Sequence, residues 1–540
     1  MTTPEIAVTR AAGASLVLLT LASGQFLMTL DSSVMNVSIA TVAKDVGTTV
    51  TGIQGAITAY TLVMAALMIT GAKIGAIIGR KRAFAIGCVI YGCGSLITSL
   101  AQSLPMLLFG WSLLEGIGAA LILPAIVALV AGNFAAERRP AAYGLVAAAG
   151  AVAVAIGPLV GGFCTTYFSW RWVFAGEVVL VIVILIFARR IADAPVEERP
   201  QLDVVGAVLS ALGLGLLVFG VLRSSEWGWI EPKLDGPSWA GLSPTLWLII
   251  GGLLVIWLFF LWQARRESRG QEPLVRAAML RNRQLAGGLT MFFFQYLVQA
   301  GFFFVVPLFL SVALGLSALE TGARLLPLSV TLLAAAIGIP RFLPRIRPRL
   351  VVRAGLLSLL AGTVVLLAAL DPEAGPEIVF VPMLLVGFGI GALASQLGAV
   401  TVSAAPDDES PEVGGIQNTA TNLGASLGTA LAGSLLIAAL TSSFLTNVQQ
   451  SSAIPASAKE QAQVELAGGV QFVSDADLES ALDEAGASPA STDAALDAYA
   501  DARLAGLRSA LSILAVLSVL ALFLAQAIPT RPVGAPERRE

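Results

Sequence analysis

The stretch FLMTLDSSVMNVSIATVA, residues 26–43, places an aspartate inside an apolar run that begins near Ala14. An apolar run of this length is typical of a membrane-crossing helix, for which about 20 residues suffice. A charged side chain at the centre of a bilayer costs at least about 2.5–3.5 kcal/mol on insertion scales. Asp31 therefore predicts either a compensating partner inside the protein or a function that uses the carboxyl group.

The composition of the whole chain indicates a protein that is largely surrounded by lipid. Its 540 residues are 56% hydrophobic and 12% charged, whereas soluble domains average about 25% charged residues. The net charge of −3 gives no basis for nucleic-acid binding. The chain has no histidine, and its three cysteines lie in apolar runs without metal-ligand spacing. We therefore predict no metal site and no cofactor, and any transported protons must pass through carboxyl groups.

Fourteen apolar runs are each long enough to cross about 30 Å of hydrocarbon as a helix. They lie at residues 14–40, 52–75, 83–101, 105–131, 141–166, 172–188, 204–222, 243–264, 285–312, 318–340, 351–370, 376–400, 413–440 and 506–528. Most lysines and arginines fall in the loops on one side of this pattern, which predicts that both termini are cytoplasmic. The sequence thus predicts an all-α integral membrane protein of the plasma membrane with 14 transmembrane helices.

A weak internal repeat predicts how these helices are grouped. Spans 1–6 and 9–14 each have a basic connection after their second helix, and a fifth helix rich in glycine. We predict two six-helix bundles with two inserted linker helices, as in transporters built from parallel repeats. The predicted divisions are 1–190, 191–284 with a basic loop at 265–284, and 285–540. Residues 441–503 are polar and form an extracytoplasmic insert, either a solvated cap or a substrate-binding ectodomain.

Three motifs carry a resemblance to a known family. They are LDSSVMNVSIATVA in the first span, AIGPLVGG in the fifth and WRWVF at the start of the sixth. With these motifs the chain resembles the major facilitator superfamily and, within it, the fourteen-span drug:proton antiporter family. The resemblance implies a secondary active transporter, not an enzyme, that exports lipophilic or cationic small molecules of the multidrug type by antiport with protons. Its expected partners are a small-molecule substrate, protons and membrane lipid, with no nucleic acid.

Asp31, Glu115 and Glu177 are the candidate groups for proton coupling or cation binding. In the resembling family, an acid at the position of Asp31 lines the cavity of the N-terminal bundle. The family's fourth-span arginine is replaced here by Ser112, and its usual glutamine by Glu115. Glu115 is then a candidate for the proton-carrying group, or it shares a proton with Asp31. The alternative is that these acids are structural. Asp31 would then be hydrogen-bonded to Ser32, Asn36 or a partner in the fourth span, and Glu115 would be held neutral by hydrogen bonds inside the bundle.

Two further motifs follow from the resemblance. The fifth span carries an antiporter helix-packing motif, in which small residues allow close helix contact. The resemblance associates this motif with export. Its members are Gly150, Gly157, Pro158, Gly161 and Gly162. The cytoplasmic loop motif consists of Gly79, Arg80, Lys81 and Arg82. The aspartate that usually precedes this loop motif in the family is absent.

Uncharged polar residues are predicted to line the cavity between the bundles. They are Asn36, Ser112, Gln295, Gln299, Gln396, Gln417 and Asn418. Gln295 and Gln299 are one helical turn apart and therefore share a face. Glu320 and Arg324 have the i, i+4 spacing of an ion pair.

Two other functions remain open from the sequence. The absent fourth-span arginine fits a specific metabolite or lipid exporter with atypical or no proton coupling. A membrane sensor or scaffold would use residues 441–503 as its ligand-binding module. No GxxxxGK[ST] phosphate-binding loop occurs, so an ion gradient, not nucleotide hydrolysis, is the expected energy source.

Overall fold

The computed structural model describes residues 4–134, 138–193, 201–233, 236–276, 278–343, 345–405, 410–466 and 469–530. Within these ranges the regular structure is helical, apart from one isolated bridge between Trp239 and Leu242. Fourteen of the described helices are long and apolar enough to cross a membrane. The predicted all-α integral membrane fold is confirmed.

Spans are numbered in chain order. Spans 1–7 are Pro4–Asp45, Val50–Ile78, Arg80–Ser99, Leu104–Asn133, Arg139–Tyr167, Arg171–Ala188 and Val204–Trp227. Spans 8–14 are Pro244–Ser268, Arg283–Ala313, Ala318–Phe342, Pro348–Ala369, Pro376–Val402, Ser410–Gln450 and Pro489–Ala527. Spans 4 and 9 contain π-helical segments at Leu108–Glu115 and Phe309–Ala313.

The two ends of the helix bundle differ in charge. One end carries the basic connections after spans 2, 6 and 10 and is named the arginine-rich end. The opposite end is named the cap end, because residues 451–466 and 469–488 lie there between spans 13 and 14. Spans 13 and 14 themselves continue into the predicted insert, so its outer parts are helical extensions of the spans.

The cap is held on these extensions by buried side chains. Tyr499 of span 14 accepts a hydrogen bond from Val473 N at 2.8 Å and donates one to Gln471 O at 2.6 Å. Arg503 is 5% exposed and forms a salt bridge with Asp475, the first residue of the second cap helix. The two cap helices, Ala456–Glu465 and Asp475–Glu484, are thus attached to the transmembrane part through span 14.

The fifth-span motif has two packing faces. A Cβ atom at Gly157 or Gly161 would clash with span 1. At Gly162, a Cβ atom would lie 2.5 Å from the carbonyl oxygen of Ala318 and 2.8 Å from Leu319 Cα, both in span 10. Span 5 therefore joins the two bundles at the cap end, through backbone contacts that only small residues allow.

Other members of the motif extend this interface. Leu319 N donates to Thr166 Oγ1 at 3.1 Å, and the carbonyl of Pro158 lies against Gly322 of span 10. Gly150 lies nearer the arginine-rich end, where a Cβ atom would meet only side chains of span 1 at 3.4 Å or more. Gly150 therefore packs span 5 on span 1, whereas Pro158, Gly162 and Thr166 contact span 10.

Spans 2 and 13 form a second contact between the bundles. Gln54 Nε2 donates to Thr429 O at 3.1 Å, and Ser426 Oγ donates to Thr58 O at 3.0 Å. Ser434 Oγ of span 13 donates to a carbonyl of span 7 at 3.0 Å. The inserted span 7 therefore packs on the interface of spans 2 and 13, whereas spans 5 and 10 lie on another side of the molecule.

The two inserted spans are fastened together at the arginine-rich end. Asp203, which caps span 7, is 2% exposed and accepts hydrogen bonds from Trp262 Nε1 and Gln263 Nε2. Arg266 Nε lies 3.7 Å from the same carboxylate. Gln263 Oε1 in turn accepts from Leu274 N at 2.7 Å, which fixes the start of the following loop.

The predicted pair of Glu320 and Arg324 at the start of span 10 is not among the salt bridges of the described residues, although the two charges attract each other. Glu320 instead completes a capping box: Ser317 Oγ accepts from Glu320 N, and Glu320 Oε2 accepts from Ser317 N at 2.9 Å. A side-chain cap of this kind satisfies two backbone donors that a helix start leaves unpaired.

The span 5 contact predicts a difference between two glycine substitutions in the same helix. Gly162→Val drives a side chain into the span 10 backbone, whereas a Cβ atom at Gly144 meets nothing within 4 Å. Overpacking of this kind costs about 1–3 kcal/mol. Thermal unfolding of the purified protein in detergent should show a clearly lower midpoint for Gly162→Val than for Gly144→Val. Equal midpoints would contradict the close contact between spans 5 and 10.

Candidate functional site

The structure brings the three predicted acids together inside the N-terminal bundle. Asp31 comes from span 1, Glu115 from span 4 and Glu177 from span 6, and one carboxylate oxygen of each lies within 4.8 Å of the others. Their exposed fractions are 0%, 0% and 2%. These residues, named the carboxyl cluster, are therefore enclosed by the bundle and do not face the cleft between the two bundles.

Asp31 has a specific partner on the fourth span. Trp111 Nε1 lies 2.9 Å from both carboxylate oxygens of Asp31 and donates to them. The indole also stacks on the ring of Tyr60, with centroids 5.2 Å apart and planes 13° from parallel. Trp111 and Glu115 both belong to the π-helical segment of span 4. Such segments are rare and occur frequently at functional sites.

Span 3 supplies hydroxyl groups to the two glutamates. Ser95 Oγ donates to Glu177 Oε2 at 3.1 Å, and Thr98 Oγ1 donates to Glu115 Oε1 at 3.3 Å. Tyr91, four residues before Ser95, is fully buried on the same helix face. One buried face of span 3 is thus polar at the level of the carboxyl cluster.

The cluster is incompletely hydrogen-bonded. Glu115 Oε2, Glu177 Oε1 and the hydroxyl groups of Tyr60 and Tyr91 are buried without a hydrogen bond of good geometry, although both hydroxyl groups lie beside the carboxyl groups of the cluster. Among the described residues, no arginine or lysine forms a salt bridge with any of the three acids. Three ionised carboxylates so close together in a low-dielectric interior would repel one another without compensation. The arrangement is therefore suited to holding protons on carboxylate oxygens.

The sequence analysis left open a fourth-span partner for Asp31 but did not identify it, and it named none of the other polar residues of the site. Trp111, Ser95 and Thr98 donate to the three acids, and Tyr60 and Tyr91 are buried beside them. The positions 91, 95 and 98 follow i, i+4, i+7 spacing, which is a polar stripe on one helix face. This stripe within an apolar span was the available signal. Nothing in the sequence paired Trp111 with an aspartate 80 positions away.

Two of the predicted cavity residues belong to the N-terminal bundle but not to the carboxyl cluster. Ser112 is 3% exposed and donates to Ala56 O at 2.8 Å, so it packs span 4 on span 2. Asn36 donates to Ser32 O at 2.8 Å within its own helix. It also lines a small cleft between spans 1, 5, 9 and 10.

The predicted glutamines of span 9 precede the two residues of that span that line the cleft. Gln295, Gln299, Phe303 and Pro307 follow one another at four-residue intervals, and the last two line the cleft. Gln295 and Gln299 are 2% and 9% exposed, and the side-chain oxygen of each lacks a hydrogen-bond partner. Both side chains are therefore enclosed, as the carboxyl cluster is.

The remaining predicted cavity residues lie on spans 12 and 13. Gln396 is half-buried and donates to Ser395 Oγ at 3.3 Å. Gln417 and Asn418 are half-buried on span 13. None of the three belongs to the carboxyl cluster.

The loop motif is tied to the end of span 6. Gly79 adopts φ +103°, a conformation that favours glycine. Lys81 N donates to Asp193 Oδ1 at 2.9 Å, so Asp193 provides an acid beside a motif whose usual aspartate is absent. Arg80 donates to a carbonyl of span 2 at 2.5 Å, and Arg82 is exposed.

The absence of metal and cofactor stays a prediction.

Comparison with protein families gives a match over most of the chain. The sequence model described as Major Facilitator Superfamily matches residues 21–230 and 203–429.

Curated relatives include proteins named for antibiotic export or resistance. The "Probable actinorhodin transporter" of Streptomyces coelicolor is 30% identical over 431 residues, which cover 78% of this chain and 72% of the relative. The "Puromycin resistance protein pur8" of Streptomyces alboniger is 29% identical over 77% of this chain and 80% of its own. The "Multidrug resistance protein Stp" of Mycobacterium tuberculosis is 24% identical over 79% and 76%, respectively.

Solved structures share the fold at low sequence identity. The human organic anion transporter MFSD10 (TETRAN) is 14% identical, with a TM-score of 0.55 over 95% of this chain and 99% of the other. A bacterial homologue of the human lysosomal transporter Spinster, in an inward-facing conformation, is 17% identical. Its TM-score is also 0.55, over 97% and 99% of the two chains.

The bond between Trp111 and Asp31 predicts a thermodynamic coupling. Trp111→Phe keeps an aromatic ring beside Tyr60 but leaves a buried carboxylate without its donor, which costs about 1–3 kcal/mol. In an Asp31→Asn background the same change should cost less, and a double-mutant cycle of unfolding free energies in mixed micelles measures the difference.

Trp170 provides the matched control for this cycle, because its Nε1 donates to Asp45 at the partly exposed rim of the bundle. Trp170→Phe should be the milder substitution. Additive effects of Trp111→Phe and Asp31→Asn would show that the buried bond contributes nothing specific.

Proposed function

Because the chain belongs to the Major Facilitator Superfamily, and is thus a multi-pass membrane transporter, not an enzyme, we propose that it exports small molecules by antiport with protons. The proposed substrates are lipophilic or cationic compounds of the antibiotic and multidrug type. The names of several relatives, which refer to antibiotic transport or to drug resistance, support export and this substrate class. We further propose a plasma-membrane location with both termini cytoplasmic, because the basic loops gather at one end of the bundle.

The carboxyl cluster is the observation that supports proton coupling. Asp31, Glu115 and Glu177 are enclosed, so the cluster has no access for an organic cation from the cleft between the bundles. A proton needs only a carboxylate oxygen, and two such oxygens lack partners. We therefore assign protons to the cluster and the organic substrate to the cleft. This separation differs from a site in which drug and proton compete for one carboxylate.

Trp111 is proposed to replace the family's fourth-span arginine as the partner of the first-span acid. The arginine position is occupied by Ser112, whose hydroxyl group is engaged with span 2. The adjacent residue, Trp111, binds Asp31 through a neutral N–H group. A neutral donor stabilises a carboxylate less than a guanidinium group does. Proton release from the cluster should therefore be easier to reverse than in an arginine-paired site.

The cleft is the proposed route for the substrate. Phe303 and Pro307 provide its apolar wall on span 9. Movement of the bundles would expose the unpartnered oxygens of Gln295 and Gln299, one or two turns away on the same span, as hydrogen-bond acceptors. A few polar groups on a mainly apolar surface suit lipophilic compounds of varied shape. The divisions at residues 190 and 284 remain our proposal for the limits of the two bundles and the inserted pair.

A second candidate is a specific exporter of a metabolite or lipid with atypical or no proton coupling. The absent fourth-span arginine favours it, because the usual coupling arrangement is lacking. The sensor or scaffold function of residues 441–503 stays a prediction, and the attachment of the cap to span 14 gives it no direct support.

Proton flux in reconstituted vesicles tests the proposal. With an imposed pH gradient in sodium-free choline medium, a lipophilic cation such as tetraphenylphosphonium should drive protons across the membrane in the opposite direction. Asp31→Asn, Glu115→Gln and Glu177→Gln should each abolish or strongly reduce this flux. Glu373→Gln, which neutralises an exposed acid of the loop between spans 11 and 12, should leave the flux unchanged.

Three results would argue against the proposal. Flux that requires sodium would identify another coupling ion. Substrate transport without proton movement would favour the second candidate. Normal flux in all three cluster variants would remove the carboxyl cluster from the coupling mechanism.

A further inference from the structure

An apolar groove runs between spans 10 and 12, away from the carboxyl cluster and the cleft. It has a volume of about 280 Å³. Its lining residues are Thr331, Ala334, Ala335, Gly338, Ile339, Phe342, Leu343 and Phe388. The hydroxyl group of Thr331 is occupied by carbonyl groups of its own helix, at 3.0 and 3.2 Å. The groove therefore presents no free polar group to an occupant.

The groove opens on the surface of span 10 that faces the membrane. Val330, Ala334, Ile337 and Arg341 follow one another along one helix face. Val330 and Ile337 are 63% and 56% exposed, and Ala334 and Arg341 are also exposed. In a transmembrane helix an exposed apolar face lies against lipid. Ala334 belongs both to this face and to the groove lining.

The length and position of the groove match one leaflet of a bilayer. Residues 331–343 span about 18 Å along the helix axis, and half of the hydrocarbon core is about 15 Å thick. Phe388 lines the wall on span 12, and Phe342 and Leu343 lie at the arginine-rich end. An extended acyl chain would therefore run from the middle of the membrane to its surface.

Exposed arginines lie at and just after the end of span 10, where the lining of the groove ends. They are Arg341, Arg345 and Arg347. In the part of the chain that the structure describes, none of them forms a salt bridge. Arg349, in contrast, is engaged with the carbonyls of Gln526 and Ile528. Basic pockets between transmembrane helices bind anionic lipid headgroups.

We propose that this groove is a binding site for an anionic phospholipid of the leaflet at the arginine-rich end. One acyl chain lies along residues 331–343, and the headgroup phosphate is bound by Arg341, Arg345 and Arg347. The charge of the phosphate complements the three arginines, and the apolar wall complements the chain. The inference goes beyond the proposed export function and does not depend on it.

Native mass spectrometry of the delipidated, full-length protein tests the proposal. Phosphatidylglycerol should bind more tightly than phosphatidylethanolamine. The triple variant Arg341→Gln, Arg345→Gln, Arg347→Gln should lose most of this preference. Each arginine near an anionic headgroup contributes about 1 kcal/mol, so the loss of two already corresponds to binding that is about 30-fold weaker. Ala334→Trp fills the groove and should weaken the binding of both lipids.

Two matched controls separate this site from general attraction to basic loops. Arg189→Gln with Arg190→Gln removes two exposed arginines at the same end of the bundle, and Val330→Trp adds an indole to the lipid-facing surface outside the groove. Both should bind lipid as the unaltered protein does. An unchanged preference in the triple variant, or an equal loss in the Arg189 and Arg190 variant, would overturn the proposal.

A second measurement needs no variant. A phosphatidylglycerol analogue with a photoreactive group in its acyl chain should label peptides that contain residues 331–343 or Phe388, and excess unlabelled phosphatidylglycerol should compete. Labelling spread evenly over the exposed faces of all spans would also overturn the proposal.

Discussion

The hydrogen bond from Trp111 to Asp31 is the contact on which the interior of the N-terminal bundle depends. It joins spans 1 and 4 at a position where an unpaired carboxylate would be costly to bury. The two glutamates complete a site that has hydroxyl and indole donors but no salt bridge to a basic residue among the described contacts. Asp31 therefore has a partner inside the bundle, and that partner, Trp111, is neutral.

Enclosure of this site shapes the proposed mechanism. A carboxyl cluster inside one bundle can respond to protonation by repacking spans 1, 3, 4 and 6, whereas the substrate would contact span 9 in the cleft. Communication between them would pass through span 1, because Ser33 and Asn36 line the cleft a few residues beyond Asp31. The backbone contacts of span 5 with span 10 and the polar contacts of span 2 with span 13 would keep the bundles together during this repacking.

Much of the fold, and the identity of the three acids, could be predicted from the sequence. The lengths of the apolar runs are sufficient for the 14 spans, and the cost of a buried charge singled out Asp31. Glu115 and Glu177 became candidates through the family resemblance. The pairing of Trp111 with Asp31 could not be predicted, because it depends on how distant helices pack. The S-x-x-E spacing from Ser317 to Glu320 indicates a capping box. We instead interpreted the i, i+4 spacing of Glu320 and Arg324 as an ion pair.

The central claim is that the enclosed carboxyl cluster holds exchangeable protons with Trp111 bound to Asp31. Infrared difference spectroscopy of the reconstituted protein between high and low pH tests it most directly, because protonated carboxyl groups have a carbonyl stretching band distinct from that of carboxylates. We expect a pH-dependent carboxyl band that Asp31→Asn and Glu115→Gln each diminish and that Trp111→Phe shifts. A difference spectrum that is the same in all three variants would contradict the account.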